Sequence, residues 1–206
     1  MISSMEDAYY TIASEVKHET KVKGSRFIAE CSTVTSTEEA LAALEMIRKR
    51  EHAATHHCFA WRVGLFNDIA FKYSDDGEPS GTAGRPIYDS ICGRNLENVL
   101  VVVTRYFGGT KLGTGGLVRA YSNAAAGALN KAGRKENFLT EQYRVDIDFA
   151  LFDQLTRLLH HYKAHQVKAD YSDHVTLEVE VRLTKSESLR ADIIQLSGGK
   201  AKIEPL

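Results

Sequence analysis

Val99-Leu100-Val101-Val102-Val103 is an unbroken apolar run of five residues, four of them β-branched. A run that short and that branched is a buried central strand rather than a helix. It feeds Arg105-Tyr106-Phe107-Gly108-Gly109-Thr110-Lys111-Leu112-Gly113-Thr114-Gly115-Gly116-Leu117-Val118-Arg119. Leu117 to Lys131, rich in alanine, then reads as a helix, with Gly133 where a C-cap belongs. A strand, a glycine loop and a helix follow one another there, and the fold expected of the whole chain is a two-domain α+β one.

The same stretch is chemically unusual. From Asn98 to Lys135 there is no Asp or Glu, yet Arg105, Lys111, Arg119, Lys131, Arg134 and Lys135 are present. The chain as a whole carries a formal net charge of -1, so this is a local cationic island. Gly108, Gly109, Gly113, Gly115 and Gly116 permit positive φ and close approach to the backbone. Successive N–H groups in such turns form a nest for an anion, phosphate above all. Arg105 and Arg119 would give forked contacts and Lys111 a point charge. No nucleotide motif fits: Gly-Lys-Ser/Thr is missing, and Val118 takes the place of the third glycine of the dinucleotide fingerprint. The plain alternative is a tight strand-to-helix connection whose glycines only satisfy geometry.

A second glycine-rich stretch runs Ser74-Asp75-Asp76-Gly77-Glu78-Pro79-Ser80-Gly81-Thr82-Ala83-Gly84-Arg85-Pro86. Asp75, Asp76 and Glu78 suit a divalent cation, but the spacing is not that of a calcium loop. A turn whose carboxylates cap nearby amides is the preferred reading. Arg85 joins Arg105, Lys111 and Arg119 as a candidate of the anion site, and Asp75, Asp76, Glu78, Gly81, Thr82 and Gly84 form a possible second loop of it if the two glycine loops meet.

Other candidates are weaker. His52/His56 and His161/His165 are each four apart, yet no third metal ligand accompanies either pair. His57 and Cys58 adjoin on a strand, so their side chains point to opposite faces. No nucleophile elbow occurs. Tyr106, Phe107 and Tyr121 flank the cationic loop and either stack on bases or fill the core; Trp61 reads as core.

The remaining pattern is coarse but legible. Thr11–Lys17 reads as an edge strand, and Lys21–Val34 as a longer one with a bulge at Gly24-Ser25. Ser36 with Glu39 opens a helix as a capping box, with Leu41, Leu44 and Ile47 on one face. His56–Val63 and Ile69–Ser74 are neighbouring strands, and Pro86–Arg94 a helix with Pro86 near its first position. Beyond Thr140 the order is strand (143–149), helix (152–162), strands (167–170 and 175–183), helix (186–196) and strand (201–203). That is the βαββαβ order of a ferredoxin-like domain. The chain of 206 residues therefore divides into domains 1–140 and 141–206.

Cys31, Cys58 and Cys92 are odd in number and widely spaced, which fits a reducing compartment rather than a disulfide framework. Met1 to Tyr10 has no apolar core of a leader, and no run reaches the ~18 apolar residues of a membrane span. A cytoplasmic protein without a membrane role is expected.

Asp75-Asp76-Gly77-Glu78-Pro79-Ser80-Gly81-Thr82-Ala83-Gly84, Arg105-Tyr106-Phe107-Gly108-Gly109 and Leu112-Gly113-Thr114-Gly115-Gly116-Leu117-Val118-Arg119-Ala120-Tyr121 together resemble the signature of the IMPACT family, in bacteria its YigZ type. His56-His57-Cys58 before Phe59-Ala60-Trp61 fits as well. Arg85 stands where lysine is common, and Lys111 where an apolar residue is usual.

The resemblance implies an N-terminal domain similar to a small-subunit ribosomal protein domain and to domain IV of elongation factor G, with a left-handed βαβ crossover. It also implies a C-terminal domain like the last domain of that factor. Eukaryotic relatives regulate translation through protein contacts, partly with an N-terminal domain absent from this sequence. The expected function is a non-enzymatic regulator of translation that binds RNA, the ribosome or a ribosome-associated protein as a monomer, without a cofactor or metal. The alternatives are an enzyme acting on a phosphorylated small molecule, with Asp75, Asp76 and Glu78 as metal or acid–base groups, and a protein-interaction module.

Overall fold

The computed structural model describes residues 7–171 and 175–206. The first six residues of the Met1–Tyr10 stretch lie outside the described residues. The chain divides into two compact units, Tyr9–Asn137 and Phe138–Leu206, the latter joined by Asp7 and Ala8. Its strands are β1 (Ala8–Ile12), β2 (Val16–Val22), β3 (Ser25–Thr33), β4 (His56–Leu65), β5 (Asp68–Ser74), β6 (Val99–Tyr106), β7 (Arg134–Phe138), β8 (Thr140–Ile147), β9 (His165–Tyr171), β10 (Val175–Arg182) and β11 (Lys202–Pro205). Its helices are α1 (Thr37–Arg50), α2 (Gly84–Cys92), α3 (Thr114–Ala132), α4 (Phe152–Tyr162) and α5 (Leu183–Leu196).

In the N-terminal unit the sheet order is β2-β3-β6-β4-β5, every neighbouring pair antiparallel. The apolar run occupies the centre, as its composition requires. Its alternate residues face opposite layers. Val99, Val101 and Val103 pack with Cys58, Ala60, Phe27 and the buried faces of α2 and α3. Leu100 and Val102 pack with Phe59, Trp61 and the buried Ala40, Leu44 and Ile47 of α1. The sheet is thus covered on both faces. Since β5 and β6 both run antiparallel to β4, they end at the same end of the sheet. That end launches α2 and α3.

Three local readings shift. Lys23 and Gly24 both have positive φ, 45° and 83°, and turn β2 into β3 as a two-residue hairpin, not a bulge. Leu41 is exposed on α1, and Ala40 takes the buried stripe with Leu44 and Ile47. Helix α2 begins at Gly84, so Pro86 stands in its first turn two residues later than read. The α1 cap holds: Ser36 Oγ accepts from the Glu39 amide at 3.1 Å, and the Glu39 carboxylate accepts from the Thr35 amide at 2.7 Å.

The C-terminal unit has sheet order β11-β8-β10-β9, antiparallel throughout, the ferredoxin-like arrangement. Val175, Leu177, Val179 and Val181 face Leu155, Leu159, Leu189 and Ile193. Leu183 opens α5 instead of closing the strand. The Asp7 carboxylate accepts the Thr184 amide at 3.1 Å in the first turn of that helix, and it pairs with Arg182. A residue distant in sequence therefore serves the orphan donors of a helix end.

Asp7 is buried, and its hydrogen bond from Arg182 holds its pKa down at about 2, against 3.8 unperturbed. A depressed carboxylate contributes stability above its unfolded pKa and loses it as pH falls through the folded value. The expected loss between pH ~4 and ~2 is about 2 kcal/mol. Urea unfolding across that range checks this against Asp7→Asn. A variant with the same acid slope as the parent would refute the assignment.

Candidate functional site

The chain leaves β5 into the acidic loop, and each of its carboxylates is engaged by the protein itself. One Asp75 oxygen accepts the Ala83 and Gly84 amides at 2.9 and 2.8 Å, and the other accepts the Gly81 amide at 2.8 Å. Asp75 is thus the cap of α2. Asp76, at φ 45°, accepts the His57 amide at 2.7 Å and the Arg48 guanidinium at 3.1 Å. Its carbonyl lies 2.8 Å from His56 Nδ1, which must be the protonated ring nitrogen because a carbonyl only accepts. Thr82 is buried, with its hydroxyl on the Pro79 carbonyl at 2.6 Å.

Glu78 turns inward. It accepts Arg105 Nη1 and the Tyr121 hydroxyl, each at 2.6 Å, and His56 Nε2 lies 3.8 Å away. The side chains of Arg105 and Glu78 are 5% and 4% exposed. This cluster ties three segments together: the acidic loop, the end of β6 and the first turns of α3. The two glycine-rich loops therefore meet at their roots.

Burial decides the chemistry of the neighbouring groups. The Cys58 thiol donates to the Asp75 carbonyl at 2.9 Å, and burial pushes its pKa up. Burial likewise raises the Tyr121 phenol, pushes Cys31 up to about 12 and lowers His57, favouring its neutral form. Neither thiol nor the phenol is poised as a nucleophile at neutral pH. Among the described residues no group of three or more His, Cys, Asp or Glu is placed to hold a metal ion.

The sequence-predicted anion site separates into an inner and an outer part. Arg105 is inner: it is buried with Glu78, donates Nη2 to Ser25 Oγ at 3.3 Å, and packs under the rings of Phe27 and Phe107. It is not a free phosphate ligand, because a buried guanidinium keeps the carboxylate that neutralises it. Tyr106 is half-buried, its hydroxyl on Glu51 at 2.8 Å and its ring under the Arg26 guanidinium. The Gly108 amide donates to Ser25 Oγ at 3.1 Å, so it faces the protein and not an outside anion. Tyr121 is fully buried, edge-on to Phe27.

The outer part is Phe107, Gly109, Thr110, Lys111, Gly113, Thr114, Gly115 and Arg119, all exposed, with Gly116 half-buried. Gly109 and Gly113 have φ 83° and 72°. Gly115 and Gly116 lie inside the first turn of α3 and have helical backbone, not the positive φ expected. Gly113 is the N-cap of α3 and offers no side chain, and among the described residues no other side chain accepts from the amides of its first turn. The Arg119 guanidinium folds back over this turn, 3.9 Å from where a Cβ on Gly115 would lie. Arg85 is exposed in the first turn of α2 and pairs with Asp89 at 2.7 Å.

Sequence reasoning missed the joint role of Glu78, Arg105, Tyr121, His56 and Ser25. No local spacing relates them; Glu78 and Arg105 are 27 residues apart. The one available signal was the opposite charge of Glu78 in the acidic loop and Arg105 at the end of an apolar strand.

This architecture is that of a two-domain α+β protein, with an antiparallel sheet covered by helices in the first domain and a ferredoxin-like second domain. The Impact N-terminal domain model matches residues 23–129, and a model described as a domain of unknown function (DUF1949) matches residues 145–200. The chain belongs to the IMPACT family. It is 35% identical over 200 residues to IMPACT family member YvyE of Bacillus subtilis, covering 97% of this chain and 92% of that one. It is 32% identical over 184 residues to IMPACT family member YigZ of Escherichia coli, covering 89% and 90%. A crystal structure of a hypothetical protein matches with TM-score 0.68 at 30% identity, covering 98% of each chain. Among the described residues no helix is long and apolar enough to cross a membrane.

Proposed function

We propose that this protein is a non-catalytic, translation-associated binding protein of the cytoplasm. It holds RNA phosphates, free or on the ribosome, at the outer loop Gly109–Gly113 and the first turn of α3. Within the IMPACT family we assign it to the bacterial YigZ type, to which its 32% identity with YigZ gives support.

One observation carries the reading. Two helices start at the same end of the sheet. The positive end of α2 is capped by the Asp75 carboxylate, whereas that of α3 has no capping side chain and carries the Arg119 guanidinium folded against it. A cation beside a positive helix end is unfavourable until an anion joins them. Lys111 is exposed on the adjoining loop, and Phe107 offers a ring 48% exposed for stacking. A catalytic reading is less favoured, because Asp75, Asp76 and Glu78 already accept hydrogen bonds from their own chain.

Lys111→Glu with Arg119→Glu is expected to weaken RNA and ribosome retention at least about tenfold at low salt, with the parent's affinity falling as salt rises. Both side chains are exposed, so stability should stay within about 0.5 kcal/mol of the parent. Co-sedimentation with ribosomes and filter retention of single-stranded RNA, at low and high salt, read the outcome. Equal retention by parent and variant would sink the proposal. Retention that survives nuclease would transfer the site to a protein partner.

A further inference from the structure

The five-stranded sheet has two edges, and they are built differently. On β2 the residues Lys17, Glu19 and Lys21 are exposed, and α3 packs along the strand. Charge and cover of that kind blunt an edge against further pairing. On β5 the exposed residues are Asp68, Ala70, Phe71, Lys72 and Tyr73, with Phe71 and Tyr73 55% and 39% exposed. Both rings lean on Tyr88 of α2, at 5.0 and 5.6 Å between centroids, so they share one face of the sheet. β5 has no proline, and its pairing with β4 is continuous from Asp68 to Ser74. Among the described residues no further strand pairs with its outer backbone groups, which form a pairing template.

We propose that β5 pairs antiparallel with β5 of a second copy about a two-fold axis at Ala70, joining two five-stranded sheets edge to edge. The order Asp68-Ile69-Ala70-Phe71-Lys72 is complementary to itself when reversed. Centred on Ala70, Asp68 opposes the partner's Lys72, Ile69 opposes the partner's Phe71, and Ala70 opposes the partner's Ala70. Two salt bridges and two aromatic–aliphatic pairs result, each on the correct face. Neighbouring two-fold registers differ by two residues, because a two-fold axis normal to the sheet keeps like faces together. Centring on Phe71 sets Lys72 against Ala70, and centring on Ile69 sets Asp68 against Ala70. Only the Ala70 centre opposes the two opposite charges. The inference departs from the monomer expectation, since nothing local in a sequence marks which strand ends a sheet.

Sedimentation velocity of the full chain over a concentration series tests it. The parent is expected to show a reversible monomer–dimer equilibrium. Asp68→Lys alone, or Lys72→Asp alone, puts like charges opposite each other twice and should weaken association about tenfold or more. Combining Asp68→Lys with Lys72→Asp restores opposite charges and should restore the dimer. All four side chains involved in the swap are at the surface, and circular dichroism verifies that each variant is folded. A parent that stays monomeric throughout overturns the proposal. So do single variants that associate as the parent does, or a folded double variant that stays monomeric.

Discussion

Glu78→Ala is expected to lower the stability of the N-terminal unit by about 3–5 kcal/mol, a large part of what a domain possesses. The magnitude follows from what stays behind. Arg105 is buried, its Nε already has no hydrogen-bond partner, and Nη1 would lose its only carboxylate. A guanidinium cannot shed its proton to escape, so it remains a desolvated charge. The Tyr121 hydroxyl loses its acceptor in the same step. Glu78→Gln keeps an acceptor for Tyr121 while removing the charge, and should fall between parent and Ala variant. Urea unfolding followed by circular dichroism measures all three. A loss below about 1 kcal/mol for Glu78→Ala would mean that Arg105 finds water, and the buried-pair account would fail. The same logic governs how binding is tested. Reversing Arg105 places two carboxylates together in the interior, so lost binding in such a variant would report unfolding rather than a missing phosphate contact.

Gly108→Ala is expected to cost about 2 kcal/mol or more, although the residue is exposed and alanine is small. A Cβ there would lie 1.8 Å from the Gly24 carbonyl carbon and 2.2 Å from the Ser25 nitrogen. Both are backbone atoms of the β2–β3 turn and have no rotamer with which to give way. The glycine loop must lift, and the bond from the Gly108 amide to Ser25 breaks with it. Gly109 is the matched control. A Cβ there meets nothing within 4 Å, and its cost is the positive φ of 83° alone, about 1 kcal/mol. Thermal and urea denaturation should rank parent above Gly109→Ala above Gly108→Ala. The reverse ranking would show that backbone conformation, not the close approach, governs this loop.

The value of neighbouring glycines in one motif thus differs residue by residue. The motif was visible at once, and its composition correctly placed a loop between a strand and a helix. What the letters do not carry is division of labour. Gly108 serves contact with another turn, Gly109 and Gly113 serve positive φ, and Gly115 and Gly116 sit in helical backbone. Arg105 and Arg119 look alike as cations in the sequence, yet one is sealed against Glu78 and the other is on the surface. The apolar run of β6, the alternation in β10, the Ser36 cap and the βαββαβ order were legible because each depends on residues within a few positions. Leu183 was misread because alternation continues into it; the helix start there depends on Asp7, distant in the chain.

The sequence by itself determined most of the elements, though not β7 or the break between β1 and β2, together with the ferredoxin-like order of the second domain and the acid-free cationic stretch, since periodicity, capping and local charge are short-range properties. Tertiary structure alone decided which carboxylate meets which cation, which helix end stays uncapped and which strand ends the sheet. Those depend on the distances between segments far apart in the chain, and burial then fixes what each charge is able to do.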